Sequence, residues 1–171
     1  SVWTESVADV RVVPKISVSL DPERLMAPAS SSAITKTITV KVQNNSKEAV
    51  AGTVDLELPA GWELVTKDTS FSLGNENESK SIQVEFKIPA NAPLSESEIV
   101  AEAIVDGEIF NKGFQVIAYP HIETKNYYKS SIARVAVIDV KVASGLKVGY
   151  VDGELDINTV YLRQMGVDVT E

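Results

Sequence analysis

The stretch TKTITVKVQ, residues 35–43, decides the fold. Its apolar residues Ile38, Val40 and Val42 alternate with polar ones, which is the period-two pattern of a β-strand with one buried face. The same alternation recurs at Ile16/Val18/Leu20, at Val54/Leu56/Leu58 and at Ile82/Val84/Phe86/Ile88. The chain therefore contains at least four half-buried strands.

Two further β-rich runs and a set of turns complete the pattern. Residues 98–105 and 108–119 are separated by Asp106-Gly107, a dipeptide favoured in tight hairpins. Clusters of Asn, Gly, Pro and Ser separate the other runs. About seven short strands, each with an apolar and a polar face, predict two antiparallel sheets packed as an immunoglobulin/fibronectin-like β-sandwich. Its core should hold Ile38, Val40, Val42, Val54, Leu56, Leu58, Val84 and Phe86.

Composition excludes several classes of partner and site. The chain has no cysteine, so disulfides, thiolate zinc sites and thiol nucleophiles are excluded. Acidic residues outnumber basic ones by 24 to 16, and the net charge of −8 repels a phosphate backbone, so we expect no nucleic-acid partner. No apolar run approaches the roughly 20 residues that cross a bilayer, so we also expect no membrane span.

Titratable residues do not suggest a reaction. His121 is the only histidine, and a lone histidine needs arranged carboxylates to hold a metal. The pairs Asp55/Glu57 and Glu76/Glu78 are typical of solvated surface charges. Because no nucleophile, base and orienting partner can be assembled, we expect no enzyme, no catalytic residue, no metal and no cofactor.

Trp62 is the one candidate binding residue. It lies in LPAGWEL, residues 58–64, directly after a strand and a Pro-Gly turn. An exposed indole there could stack on a sugar ring, as in carbohydrate-binding modules. Alternatively, Trp62 covers one end of the sandwich. We favour the covering role, because a sugar platform usually needs a second aromatic ring or several polar partners.

Several strings in the first two thirds of the chain carry a family resemblance. They are VDLELPAGWEL (54–64), VEFKIP (84–89), AIVDG (103–107) and QVIAYPHI (115–122). Together they resemble the β-sandwich module beside catalytic domains in bacterial glycan-processing enzymes, including some α-galactosidases. The resemblance covers residues 10–122 and implies a spacer or docking platform.

The rest of the chain carries a second resemblance, in YPHIETKNYY (119–128), IARVAVIDVKVA (132–143), LKVGYVDGELD (146–156) and LRQMGVDVTE (162–171). It is similar to the region downstream of LmbE-like (PIG-L) N-acetylglucosaminyl deacetylase domains in large bacterial proteins. There a Rossmann-like, glutamine amidotransferase-like domain follows the sandwich. The resemblance implies an upstream catalytic domain and an extracytoplasmic location, and it carries no metal or catalytic residue over to this chain.

The last 26 residues, 146–171, predict one β-loop-α-β unit. Leu146 and Val148 fit a buried strand, Asp156 an N-cap, and Gly166 a helix end, before a second strand at 167–169. The apolar helix positions are Ile157, Val160, Tyr161, Leu162 and Met165. Since a parallel sheet needs several such units, residues 123–171 are predicted to be a linker and a partial α/β segment.

These observations give a domain plan and two functional hypotheses. Residues 1–9 form an arm or linker and residues 10–122 the sandwich, so a chain ending near Glu123 should keep its melting temperature. The C-terminal segment should pack Leu162 and Met165 on the sandwich, pair with another copy or be mobile. The protein is then a noncatalytic spacer whose partners are neighbouring domains, or alternatively a carbohydrate-binding module that binds a glycan through Trp62.

Overall fold

The computed structural model describes residues 13–117, 121, 125–151 and 158–170, and within them fourteen strands and one helix. The predicted arm at residues 1–9 lies outside this range. The strands are β1 (Ile16–Asp21), β2 (Arg24–Pro28), β3 (Ile34–Asn44), β4 (Val50–Glu57), β5 (Glu63–Leu64), β6 (Ser70–Leu73), β7 (Ser79–Ile88), β8 (Glu96–Val105), β9 (Glu108–Phe110), β10 (Lys112–Ile117), β11 (Lys125–Ser130), β12 (Ile132–Ile138), β13 (Lys147–Gly149) and β14 (Asp168–Thr170), and the helix is α1 (Asn158–Gln164).

Two sheets pack face to face, which confirms the immunoglobulin-like sandwich. One has four strands in the order β1-β3-β7-β5, and the other has six, in the order β2-β12-β8-β4-β6 with β9 paired to β8. The pairs are antiparallel except β2 with β12, which run parallel. At the predicted hairpin between β8 and β9, Asp106 and Gly107 both have positive φ, as a tight two-residue turn requires.

The core is the one that the alternation predicts. Seven of the eight expected residues are buried, and the eighth, Leu58, is half-buried against the same cluster because it follows the last residue of β4. Both sheets contribute inward side chains to this single cluster, so the period-two pattern sets the register of each strand.

A buried asparagine closes one end of the sandwich. Asn44, at the end of β3, is fully buried, and its amide nitrogen donates to the carbonyls of Glu48 (2.8 Å) and Asn75 (3.2 Å). Its amide oxygen accepts from the backbone nitrogen and the hydroxyl of Ser46, each at 2.9 Å. The side chain thereby ties two loops to one strand end.

The sandwich extends past residue 122, where the sequence analysis ended it. Strand β12 lies inside the six-stranded sheet, antiparallel to β8 and parallel to β2. Its inward residues Ala133, Val135 and Val137 belong to the core. The family resemblance of IARVAVIDVKVA places this run after the sandwich, whereas its alternating apolar residues fit a sandwich strand. Here it has a sandwich neighbour on each side instead.

The predicted β-loop-α-β unit is present at the C-terminal end of the chain. Strands β13 and β14 pair in parallel, and α1 precedes β14. Gly166 ends the helix with φ +91°, where its amide donates to Arg163 O (3.0 Å) and the Val167 amide donates to Leu162 O (3.1 Å). This is the Schellman arrangement. The expected N-cap and first apolar helix position, Asp156-Ile157, lie outside the described residues.

The first strand of this unit is less buried than the sequence predicts. Val148 is only half-buried, Leu146 is exposed, and Val151 is 96% exposed, because the sheet has two strands. In α1, Thr159 is buried and Val160 exposed, while Tyr161, Leu162 and Met165 are half-buried. Of the three expected fates for the segment, packing on the sandwich is the one observed, since α1 contacts β2.

Truncating Phe86 should be costly, because its ring is fully buried in the core. We expect Phe86→Ala to lower the free energy of unfolding by roughly 3–5 kcal/mol in chemical denaturation. The control Glu85→Gln, on the outward face of the same strand, should change it by less than about 0.5 kcal/mol. A loss of similar size in both variants would contradict the assigned register.

Removing residues after Glu123 should abolish cooperative folding, because it deletes β12 and leaves β2 and β8 with unpaired edges. A chain ending at Ala143 retains β12 and should unfold cooperatively, as measured by thermal unfolding with light scattering to detect association. If the chain ending at Glu123 melted within a few degrees of the full chain, β12 would not be integral to the sandwich.

Candidate functional site

Trp62 packs on the sandwich. Its amide donates to Pro59 O at 3.0 Å, and Gly61 between them has φ +82°, so a glycine-dependent turn sets the position of the indole. The indole is half-buried and stacks on Phe86, with ring centroids 5.7 Å apart and planes 7° apart. One face of the indole is therefore covered by the core, and the covering role has a defined contact.

The carboxylates singled out in the sequence lie on β4 and in the loop between β6 and β7. Asp55 and Glu57 are exposed on the outward face of β4, and Glu76 is exposed in the loop before β7. His121 is also exposed. Within the described residues, no group of three or more His, Asp or Glu side chains is arranged to hold a metal ion.

Glu78 has a structural role in the loop between β6 and β7. Its Oε2 accepts from the backbone amides of Asn75 (2.9 Å) and Gly74 (2.8 Å) and from the Asn75 side chain (3.2 Å). These bonds, that from the Asn75 amide above all, hold the pKa of Glu78 below its ordinary value. The carboxylate therefore closes a turn.

Three neighbouring clefts surround Glu23, in the loop between β1 and β2. The first, of about 280 Å³, is also lined by Arg24, Glu98, Lys129, Ser130, Ile132 and Arg134. The second, of about 500 Å³, lies between Asp21–Arg24 and Val160 and Tyr161 of α1. The third, of about 220 Å³, is lined by Ser19, Glu23, Gly113, Phe114, Tyr127 and Lys129. Trp62 lines none of the three.

Ion pairs line these clefts. Lys129 pairs with Glu23, and Arg134 pairs with Glu98 at 3.3 Å and with Glu96 at 3.8 Å. The side chains of the pairs are about half exposed, so each pair contributes little stability, at most about 1 kcal/mol. The charges therefore serve mainly to present donors and acceptors to the solvent side of the clefts.

Sequence reasoning did not identify this region. Glu23 and Lys129 are separated by most of the chain, and no motif links them. Tyr127 belongs to the YPHIETKNYY stretch, but its exposure follows from its place on β11, which local spacing does not indicate. One local feature could have indicated the region: the pair Tyr127-Tyr128 stands in a polar segment. Exposed aromatic residues in such a segment are a common sign of a binding surface.

The last turn of α1 is joined to the sandwich by hydrogen bonds. The Met26 amide, on the outer edge of β2, donates to Gln164 Oε1 at 2.6 Å. The Lys36 ammonium of β3 donates to the Gln164 carbonyl at 2.7 Å. Partial burial lowers the pKa of Lys36, while the carbonyl end of a helix favours a cation. Gln164 thus connects both sheets to the C-terminal unit.

Comparisons with known proteins give no function for this chain. No family model and no curated protein matches the sequence. Among solved structures, α2-macroglobulin from Escherichia coli (domain MG7 to the C-terminus) is 16% identical, with TM-score 0.42; the match covers 71% of this chain and 16% of that one. A FixG-related protein from Vibrio parahaemolyticus is 12% identical over 73% of this chain and 98% of that one, with TM-score 0.41. The PapD-like domain 7 of human CEP192 is 10% identical, with TM-score 0.38; the match covers 82% of this chain and 99% of that one.

The part of the chain that the structure describes contains no helix long and apolar enough to cross a membrane.

The Glu78 turn predicts a pH dependence of stability. Since the pKa of Glu78 is lowered on folding, its contribution is present above the ordinary value of 4.5 and is lost as the pH falls through the lower folded value. Glu78→Gln should therefore lose less stability than the wild type between pH 7 and pH 3 in urea unfolding. Glu76→Gln removes the same charge without altering the three hydrogen bonds and should follow the wild-type curve. Parallel curves for all three proteins would show that the turn is not carboxylate-dependent.

Proposed function

We propose that this protein is a noncatalytic immunoglobulin-like connecting module of a multidomain bacterial glycan-processing protein. Its role is to hold a following α/β segment in a fixed position relative to the sandwich. The observation that carries the proposal is the contact of Gln164 with both Met26 of one sheet and Lys36 of the other.

The type of parent protein is supported by the resemblance to regions downstream of LmbE-like deacetylase domains. In that setting the β13-α1-β14 unit is the beginning of a Rossmann-like domain, and its exposed Leu146 and Val151 are covered by further strands and helices. The same setting is bacterial and extracytoplasmic, and the neighbouring domains are the partners.

A rigid connection suits a spacer for a physical reason. A flexible linker leaves the two units free to reorient, whereas hydrogen bonds to an edge strand and to a second sheet fix one orientation. The Gln164 side chain also satisfies an otherwise open amide on the outer edge of β2. One residue therefore protects an edge and positions the next unit.

The second candidate function, carbohydrate binding through Trp62, is less favoured because Phe86 covers one face of the indole. A panel of glycans titrated against the protein should give no saturable change in tryptophan fluorescence. Binding that is measured by calorimetry and disappears in Trp62→Ala, with the fold intact, would establish the Trp62 surface as the binding site.

The connecting role is tested by Gln164→Ala. In residue-resolved hydrogen exchange, the amide hydrogen of Met26 should exchange about 2- to 10-fold faster in this variant than in the wild type. This increase is expected for the loss of one hydrogen bond. Amides of α1 should also lose protection, while the sandwich core should not. The matched control Gln83→Ala, on the exposed face of β7, should leave Met26 and α1 unchanged. Equal exchange at Met26 in all three proteins would refute the fixed connection.

A further inference from the structure

The third cleft has a composition that the connecting role does not use. It lies between the β10–β11 hairpin and the β1–β2 loop, and it combines the aromatic ring of Tyr127 with hydroxyl, carboxylate and ammonium groups from Ser19, Glu23 and Lys129. These groups come from distant parts of the chain and meet only because the hairpin lies along β1.

Gly113 forms the floor of this cleft. A Cβ atom at this position would lie 3.0 Å from Val18 O of β1, closer than nearly all side-chain contacts. The glycine therefore lets the hairpin approach β1 and leaves the floor free of a side chain. The result is an open groove with Tyr127 on one strand and Lys129 two residues further along it.

Tyr127 and Tyr128 lie on opposite faces of the hairpin, because successive residues of a strand alternate. Tyr128 pairs across the hairpin with Phe114, and their ring centroids are 5.5 Å apart. Tyr127 shares its face with Lys129 and is 52% exposed. A flat ring that is half open to solvent beside polar groups can stack on the apolar face of a ligand ring.

The charge of the groove is balanced. Glu23 and Lys129 form an ion pair whose side chains are half exposed, so the pair offers acceptors and donors without a net charge. The protein as a whole has a formal net charge of −8, which disfavours the binding of an anionic ligand. A neutral ligand with many hydroxyl groups fits this chemistry, because each hydroxyl can both donate to the carboxylate and accept from the ammonium.

We propose that the Tyr127 groove binds a neutral oligosaccharide. The Tyr127 ring stacks on one sugar ring, and Glu23, Lys129 and Ser19 hydrogen-bond to its hydroxyls. Glu23 also borders the other two clefts, which are lined by Arg24 and Tyr161, so further polar and aromatic groups lie near the groove. The site is separate from Trp62 and does not depend on the connecting role.

A proline-rich peptide is another ligand that packs on exposed tyrosine rings. It fits less well, since proline has no amide hydrogen to donate to the Glu23 carboxylate. The polar lining of Ser19, Glu23 and Lys129 would then lose hydrogen bonds to water without replacement. The experiment includes such a peptide so that this outcome is visible.

The test uses the whole chain with cellopentaose, chitopentaose, xylopentaose and mannopentaose, together with a proline-rich decapeptide, in calorimetry and residue-resolved NMR titrations. We expect at least one saccharide to bind with a Kd below roughly 1 mM and to shift the signals of Tyr127 and Gly113. Tyr127→Ala should weaken binding about tenfold or more, whereas Tyr128→Ala, the matched variant on the opposite face, should change it by less than about twofold.

Two further variants keep the test decisive if a tyrosine variant misfolds. Glu23→Gln and Ser19→Ala leave the hairpin sequence unchanged, and each should weaken binding several-fold with an unchanged melting temperature. The proposal is overturned if no saccharide saturates at roughly 10 mM, if binding is unaffected by all groove variants, if Trp62→Ala abolishes it, or if only the peptide binds. The Gln164→Ala experiment is unaffected by any of these results, so the two proposals fail separately.

Discussion

The long antiparallel pairing of β3 with β7 is the interaction on which the rest of the sandwich depends. It joins Ile34 to Ile88 at one end and Gln43 to Ser79 at the other, and it places two rows of apolar side chains on one face. β1 and β5 extend this sheet on either side, and the six-stranded sheet covers the apolar face. A shift of one residue in this pairing would turn the apolar row of the shifted strand towards water.

The sequence predicted this part well because the signal is local. Alternation in β1, β3, β4 and β7 follows from one buried face per strand, and the glycine turns at Gly61 and Gly107 follow from backbone conformations that other residues rarely adopt. The helix end at Gly166 was predictable for the same reason. In each case the residues that determine the structure are neighbours in the chain.

The parts that were missed depend on distant pairing. The run IARVAVI alternates like a sandwich strand, but only its place between β2 and β8 shows which sheet it joins. The groove at Tyr127 requires Glu23, Gly113 and Lys129 to meet, and none of them is informative alone. Trp62 was recognised, but its stacking on Phe86 depends on how β7 lies behind the turn. Tertiary structure, rather than residue type, decides the role in all three cases.

The parallel pairing of β2 with β12 also constrains the order in which the protein can fold during its synthesis. Among the strands that the structure describes, β2 is the second of the sandwich to be synthesised, and its partner there, β12, is made after the other sandwich strands. Until then β2 and the β12-facing edge of β8 remain unpaired, and the nascent chain exposes apolar surface open to aggregation or chaperone binding. Closing this sheet joins two distant parts of the chain, which makes it a slow, late step of folding.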